Sequence, residues 1–196
     1  MMNKMNINIF LLVILVFSCT NPFSTRDVEE PSPDKGSDTY DQPFKSEYVL
    51  SNLRFAMIQK NISNYMNCFI DTSLVPMNYK FIPDQSIPKE RFTGWDLQDE
   101  ENYLRRVFNN SDKIEFEFID KDITYTTITT SLDSVQTSPF RYEMKVEFDT
   151  LAVFSGKARM KLVKNVNSLW AIYYWEDFRD EISNDNTWSF LKAIYK

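Results

Sequence analysis

The sequence predicts an α+β fold, with N-terminal helices packed on a curved, mainly antiparallel sheet of about four to six strands and a short C-terminal helix. Three observations carry this. Apolar residues recur at helical spacing from Val49 to Phe108. From Ile114 to Leu162 the period changes to two, the mark of strands buried on one face. The helical stripes and the strands' apolar faces all need cover, and a curved sheet wrapped round the helices supplies it.

The elements follow in order. Ser46 is placed to N-cap a first helix, with Glu47 in its first turn and Val49, Leu50, Leu53, Ala56 and Met57 as its stripe. Asn61 breaks the pattern, and Ile62, Tyr65, Met66 and Phe69 form a second short stripe. Leu74 to Ile82 reads as a short strand or extended segment, followed by a loop. Asp96 is a candidate N-cap for another helix. Asp99, Glu100 and Glu101 suit its first turn, Arg105 and Arg106 its last, and Leu97, Leu104, Val107 and Phe108 its buried side.

Strands come next. Ile114, Phe116 and Phe118 alternate with Glu115 and Glu117; Phe140 to Phe148 and Ala158 to Leu162 alternate in the same way. The Thr-rich stretch from Ile123 to Leu132 suits a strand near an edge. Asn165 to Ser168 form a turn into LWAIYYWEDFRD. Strict alternation there puts Trp170, Ile172 and Tyr174 on one face and Leu169, Ala171, Tyr173 and Trp175 on the other. The long helices would then cover one face and the C-terminal helix the other, through Trp188 and Leu191. Glu176 and Asp177 fall where this strand leaves the sheet, so turn or capping contacts are their default role.

The N-terminus has its own signature. Lys4 is the only charge before residue 26, and Ile9 to Phe17 is an apolar run too short to span a bilayer. Val16-Phe17-Ser18-Cys19 resembles the lipobox of bacterial lipoproteins; an ordinary secretory signal peptide is the alternative. The resemblance implies a signal peptide over residues 1–18, lipidation of Cys19, and a domain held at the bacterial cell envelope outside the cytoplasm, on the inner or outer membrane. Residues 19–43 then form the lipidated Cys and an acidic, Pro-containing linker, with the domain over 44–196. Thr20 to Pro43 hold six acids, two bases and four of the eight prolines. A flexible chain of this length reaches about 25–30 Å.

Composition excludes several classes. From Phe44 onward 19 basic residues face 22 acidic ones, and the absence of a basic excess argues against nucleic acid as a partner. The chain has no His. Cys68 stands in an apolar helical context, with no second Cys in the domain, and reads as a small hydrophobe rather than a nucleophile. Zinc is disfavoured for the same reasons. Asp180 to Asn186 is oxygen-rich but lacks the Gly and distal Glu of a calcium loop. No phosphate-cradling Gly loop and no cofactor motif is present.

The order of elements resembles the NTF2-like (cystatin-like, cone-shaped α+β) superfamily. SEYVLSNLRFAMIQKNISNYMNCF resembles the first helical hairpin of small bacterial lipoproteins with that fold; Trp170, Ile172, Trp175, Glu176 and Asp177 resemble their last strand, and WSFLKAIYK their closing segment. The superfamily contains isomerases and dehydratases as well as transport factors and dimerising modules, so the resemblance does not choose a reaction. Its enzymes work in the mouth of the cone, commonly with an Asp base. Here a base would be a carboxylate raised by burial and a donor would be Tyr. Tyr48, Tyr65, Tyr142, Tyr174, Glu176 and Asp177 are the candidate pocket or rim residues, with core filling as their default role. No catalytic signature stands out. The favoured reading is a non-catalytic tethered module that binds a small ligand or a protein partner; a lipid-anchored isomerase, dehydratase or hydrolase is the alternative. The superfamily often dimerises through the outer sheet face, but the mixed charges on this one leave a homodimer open.

Overall fold

A computed structural model describes residues 40–128, 132–183 and 185–196. Cys19, the signal-peptide segment and the linker to residue 39 lie outside the described residues. Helix α1 spans Ser46–Ile58 and α2 Ile62–Met66. Strand β1 (Lys80–Ile82), a 3-10 turn (Lys89–Phe92) and helix α3 (Leu97–Asn110) follow. Strands β2 (Lys113–Phe118), β3 (Tyr125–Ile128), β4 (Ser134–Thr137), β5 (Phe140–Glu147), β6 (Leu151–Lys164) and β7 (Trp170–Phe178) come next, and α4 (Trp188–Ile194) closes the chain.

The sheet is organised round β6. Its N-terminal part pairs with β5 and its C-terminal part with β4, so these two strands lie end to end along one edge. Ser138-Pro139 separates them, and a proline has no N–H to continue the ladder. β2 pairs outward from β5, and β3 from β4. On the opposite edge β7 runs antiparallel to β6, and β1 adds to β7 in parallel. The sheet is thus a curved, unclosed, mixed sheet of seven strands among the described residues, rather than four to six. β3 stands at an end of it, as its composition suggests.

The predicted strand facing holds on β2, β5 and β6, where Ile114, Phe116, Phe140, Tyr142, Met144, Val146, Ala158, Met160 and Leu162 are buried. β7 departs from strict alternation. Lys161 pairs with Tyr174 but Leu162 pairs with Ile172, which leaves Tyr173 as the extra residue of a bulge. The bulge turns Ile172 and Trp175 to the same inner face, and both are fully buried. The two-sided packing expected for this strand is therefore replaced by one dense inner face: Trp175 stacks at 6.3 Å from Phe69 and meets Trp188 of α4 edge-on at 4.5 Å.

Helix ends also differ in detail. Lys45, not Ser46, takes the α1 N-cap position, and it offers no side-chain bond. Asp96 caps α3 as expected, in a reciprocal capping box with Asp99. α3 runs on to Asn110, so Arg105 and Arg106 fall short of its last turn. Its C-terminal carbonyls are met by the Lys60 ammonium, 3.1 Å from Phe108 O and 2.6 Å from Ser111 O. The described chain joins the fold before Phe44. Asp41 exchanges two bonds with Asn52 (2.9 and 2.7 Å), and Trp170 N–H donates to Pro43 O at 2.8 Å.

Candidate functional site

Among the buried charged side chains, Glu100 and Lys192 form an ion pair, and the helices put them there. On α3, Glu100 lies three, four and seven residues before Tyr103, Leu104 and Val107, so it shares their inward stripe. On α4, Lys192 lies four residues after Trp188 and beside Leu191. Both are fully buried, and Lys192 Nζ sits 2.7 and 2.9 Å from the Glu100 carboxylate oxygens.

Hydroxyls, indoles and rings surround this pair. Tyr65 OH (2.7 Å), Tyr79 OH (3.2 Å) and Trp95 Nε1 (2.8 Å) donate to the Glu100 carboxylate. Tyr103 OH is 3.1 Å from Tyr65 OH and accepts from Trp188 Nε1 at 3.0 Å. The Lys192 ammonium lies over the rings of Trp175 (3.8 Å) and Phe81 (3.9 Å), whose negative faces support a cation that has lost its water. Burial holds the Lys192 proton affinity below the ordinary lysine range, with Glu100 pulling it back up. Burial, and next to it the Glu100 charge, pushes the Tyr65, Tyr79 and Tyr103 phenols well above their usual range. They stay protonated donors.

A second network adjoins the first. Asp177 is buried and points inward from β7. Its Oδ1 accepts from Tyr142 OH at 2.7 Å; its Oδ2 accepts from the Ser189 backbone N–H (2.7 Å) and hydroxyl (2.5 Å). Tyr142 OH in turn accepts from Trp188 N–H at 2.7 Å. The two side chains thus satisfy the first-turn amides of α4, where Thr187 provides no side-chain cap. Burial pushes the Asp177 carboxyl up to about 6, against the Ser189 and Tyr142 bonds that favour the anion. Gly156 makes this geometry possible. A Cβ there would stand 2.6 Å from Phe178 O and 2.7 Å from Tyr142 OH.

The six residues singled out from the sequence divide. Tyr65, Tyr142 and Asp177 meet these interior networks. Tyr174 and Glu176 lie on the outer sheet face, under Lys161 (4.8 Å from the Tyr174 ring) and beside Arg159 (2.8 Å from Glu176). Tyr48 is half-buried on α1 beneath Lys45. Glu100, Lys192, Tyr79, Trp95, Tyr103 and Ser189 escaped the sequence reading.

Chemically, the Glu100 and Asp177 carboxylates are both engaged by donors that belong to the fold. Four grooves, of about 520, 320, 250 and 410 Å³, mark the described surface, and Glu100, Asp177 and Lys192 line none of them. Among the described residues, no group of three or more His, Cys, Asp or Glu is placed to hold a metal, and no helix is long and apolar enough to cross a membrane.

No protein-family model matches the chain, and no curated protein sequence matches it. Solved structures do. A putative dehydratase of the NTF2-like family from Streptomyces avermitilis superposes with a TM-score of 0.52 at 9% identity, over 70% of this chain and 95% of that one. A putative scytalone dehydratase from Novosphingobium aromaticivorans gives 0.51 at 8% identity, over 73% and 90%. An NTF2-like superfamily protein from Salmonella enterica gives 0.50 at 9% identity, over 72% and 94%. The fold is that of the NTF2-like proteins, as the order of elements suggests.

Proposed function

We propose that this NTF2-like chain is a membrane-tethered, non-catalytic lipoprotein of the bacterial cell envelope whose domain binds a small ligand or a protein partner. One observation carries the non-catalytic half. The interior, where an NTF2-like enzyme would hold substrate, is occupied by the Lys192–Glu100 pair, its Tyr and Trp donors, and the Asp177–Tyr142 clasp on α4. The lipobox-like Val16 to Cys19 and the acidic linker support the tether.

The experiment compares the full chain with Cys19→Ala and Asp177→Asn. Cys19→Ala should move the protein from the membrane to the soluble fraction and abolish fatty-acid labelling. Asp177→Asn should lower stability while leaving no turnover to lose. One observation favours the enzyme alternative: a carboxyl raised by burial beside a Tyr hydroxyl, 2.7 Å apart. Two of the structural neighbours are named as putative dehydratases, which points the same way. Reproducible turnover in the folded wild type, absent from a folded Asp177→Asn protein, would establish that alternative.

A further inference from the structure

The largest of the four grooves, of about 520 Å³, lies within the range of roughly 300–1,000 Å³ typical of small-ligand sites. It runs between Tyr40–Pro43, the segment after α2, and the start of β7. Its walls are tied to the sheet. Trp170 N–H donates to Pro43 O (2.8 Å), Ile172 N–H to Cys68 O (2.8 Å), and Ile70 N–H to Ile172 O (3.0 Å).

The lining has a particular chemistry. Trp170 and Tyr40 bring aromatic surface, and Lys164, 5.0 Å from the Trp170 ring, fixes the indole. Gln42, Asn67, Asp71 and Asn165 bring amide and carboxylate groups. Two of these are held in position by their own turns. Asn165 Oδ1 accepts from the Asn167 and Leu169 amides (2.9 and 3.1 Å), which leaves its NH₂ as a donor. Asp71 Oδ1 accepts from the Ser73 amide and hydroxyl (2.8 and 2.7 Å), which leaves Oδ2 as an acceptor. Asp71 carries the only charge among the lining residues, so the lining itself supplies an anionic ligand no counter-charge; the Lys164 ammonium stands beside Trp170 and is not among the lining groups.

We propose that this groove binds a neutral saccharide. A sugar ring offers one face of weakly positive C–H groups, which suits the negative face of an aromatic ring. Its edge offers hydroxyls that each donate and accept, which suits amides and a carboxylate set side by side. An apolar aromatic ligand would leave the Asn, Gln and Asp groups without partners. A nucleotide would set phosphate against Asp71. The proposal rests on the binding-module reading and specifies its ligand class.

The test is calorimetry on the full chain in a zwitterionic, sugar-free detergent, with cellotetraose, maltotetraose and chitotetraose as probes. At least one should bind. Trp170→Ala should weaken that binding about tenfold or more, and Asp71→Asn should weaken it less. Tyr174→Ala on the outer sheet face should leave it unchanged. Circular dichroism of each variant confirms that the fold is retained. Absence of binding by all three probes would overturn the saccharide proposal and leave the non-catalytic reading standing. Binding that survives both Trp170→Ala and Asp71→Asn would overturn the site. Cleavage or conversion of a bound probe, lost in Trp170→Ala, would support the groove and contradict the non-catalytic reading.

Discussion

Replacing Lys192 by Met tests the interior most sharply, because it removes one charge and nearly preserves volume. Glu100 would keep the donors Tyr65, Tyr79 and Trp95 but lose the ammonium at 2.7 and 2.9 Å. Removing one partner of a buried ion pair costs about 3–5 kcal/mol, since the survivor must stay desolvated or take up a proton. At roughly 2–4 °C per kcal/mol for a domain of this size, the midpoint should fall by about 6–20 °C. Glu100→Gln in the same chain removes the orphaned charge while its carbonyl still accepts from two of the donors. The double variant should therefore recover at least about 2 kcal/mol relative to additivity. Urea unfolding followed by tryptophan fluorescence measures all four proteins of the cycle. A loss below about 1 kcal/mol in Lys192→Met, or strict additivity in the cycle, would show that the two buried charges are not coupled.

Three further outcomes follow from neighbouring contacts. Gly156→Ala should cost about 3 kcal/mol in the same assay, because the added methyl displaces Tyr142 OH from Asp177 and Trp188. Burial raises the folded Asp177 pKa to about 6, above the ordinary value of about 4 for an unfolded aspartate, so its contribution is complete below about pH 4 and lost as pH rises through 6. The stability of wild type relative to Asp177→Asn should thus grow by up to about 3 kcal/mol between about pH 7 and pH 4, and a gap that shrinks toward acid would reverse the assignment. Lys60→Met should cost about 1–2 kcal/mol by leaving Phe108 O and Ser111 O without their cation, with faster amide exchange confined to the end of α3.

What the sequence made legible was periodicity. The half-buried strands, the helical stripes and the Asp96 cap all rest on local spacing, and they stand where expected. The β7 facing was not legible, because a bulge is a register event set by the pairing of Lys161 and Leu162 with β7. The charged interior was partly legible and overlooked. Glu100 completes an i, i+4, i+7 row with Leu104 and Val107, and Lys192 an i, i+4 row with Trp188. Helix-dipole reasoning accounts for Glu100 as a first-turn acid and leaves it out of the buried side, whereas a buried partner 92 residues away decides its position. Asp177 is among the candidate residues read from the sequence, and the capping role expected of it by default is what the α4 amides give it. Tyr174 and Glu176 were placed at a rim by the same reading, yet alternation from Trp175 and Asp177 puts them outside.

The interior is closed by its own side chains. Hydrogen exchange of the Trp95 and Trp188 indole N–H groups, followed by NMR, tests it directly. Each donates to a buried acceptor, Glu100 and Tyr103. Both indoles should exchange only through global unfolding, at rates that track urea stability, and neither resonance should shift when small apolar or hydroxylated ligands are added. Exchange far faster than global unfolding, or ligand-dependent shifts at these two indoles, would reveal an open cone and contradict it.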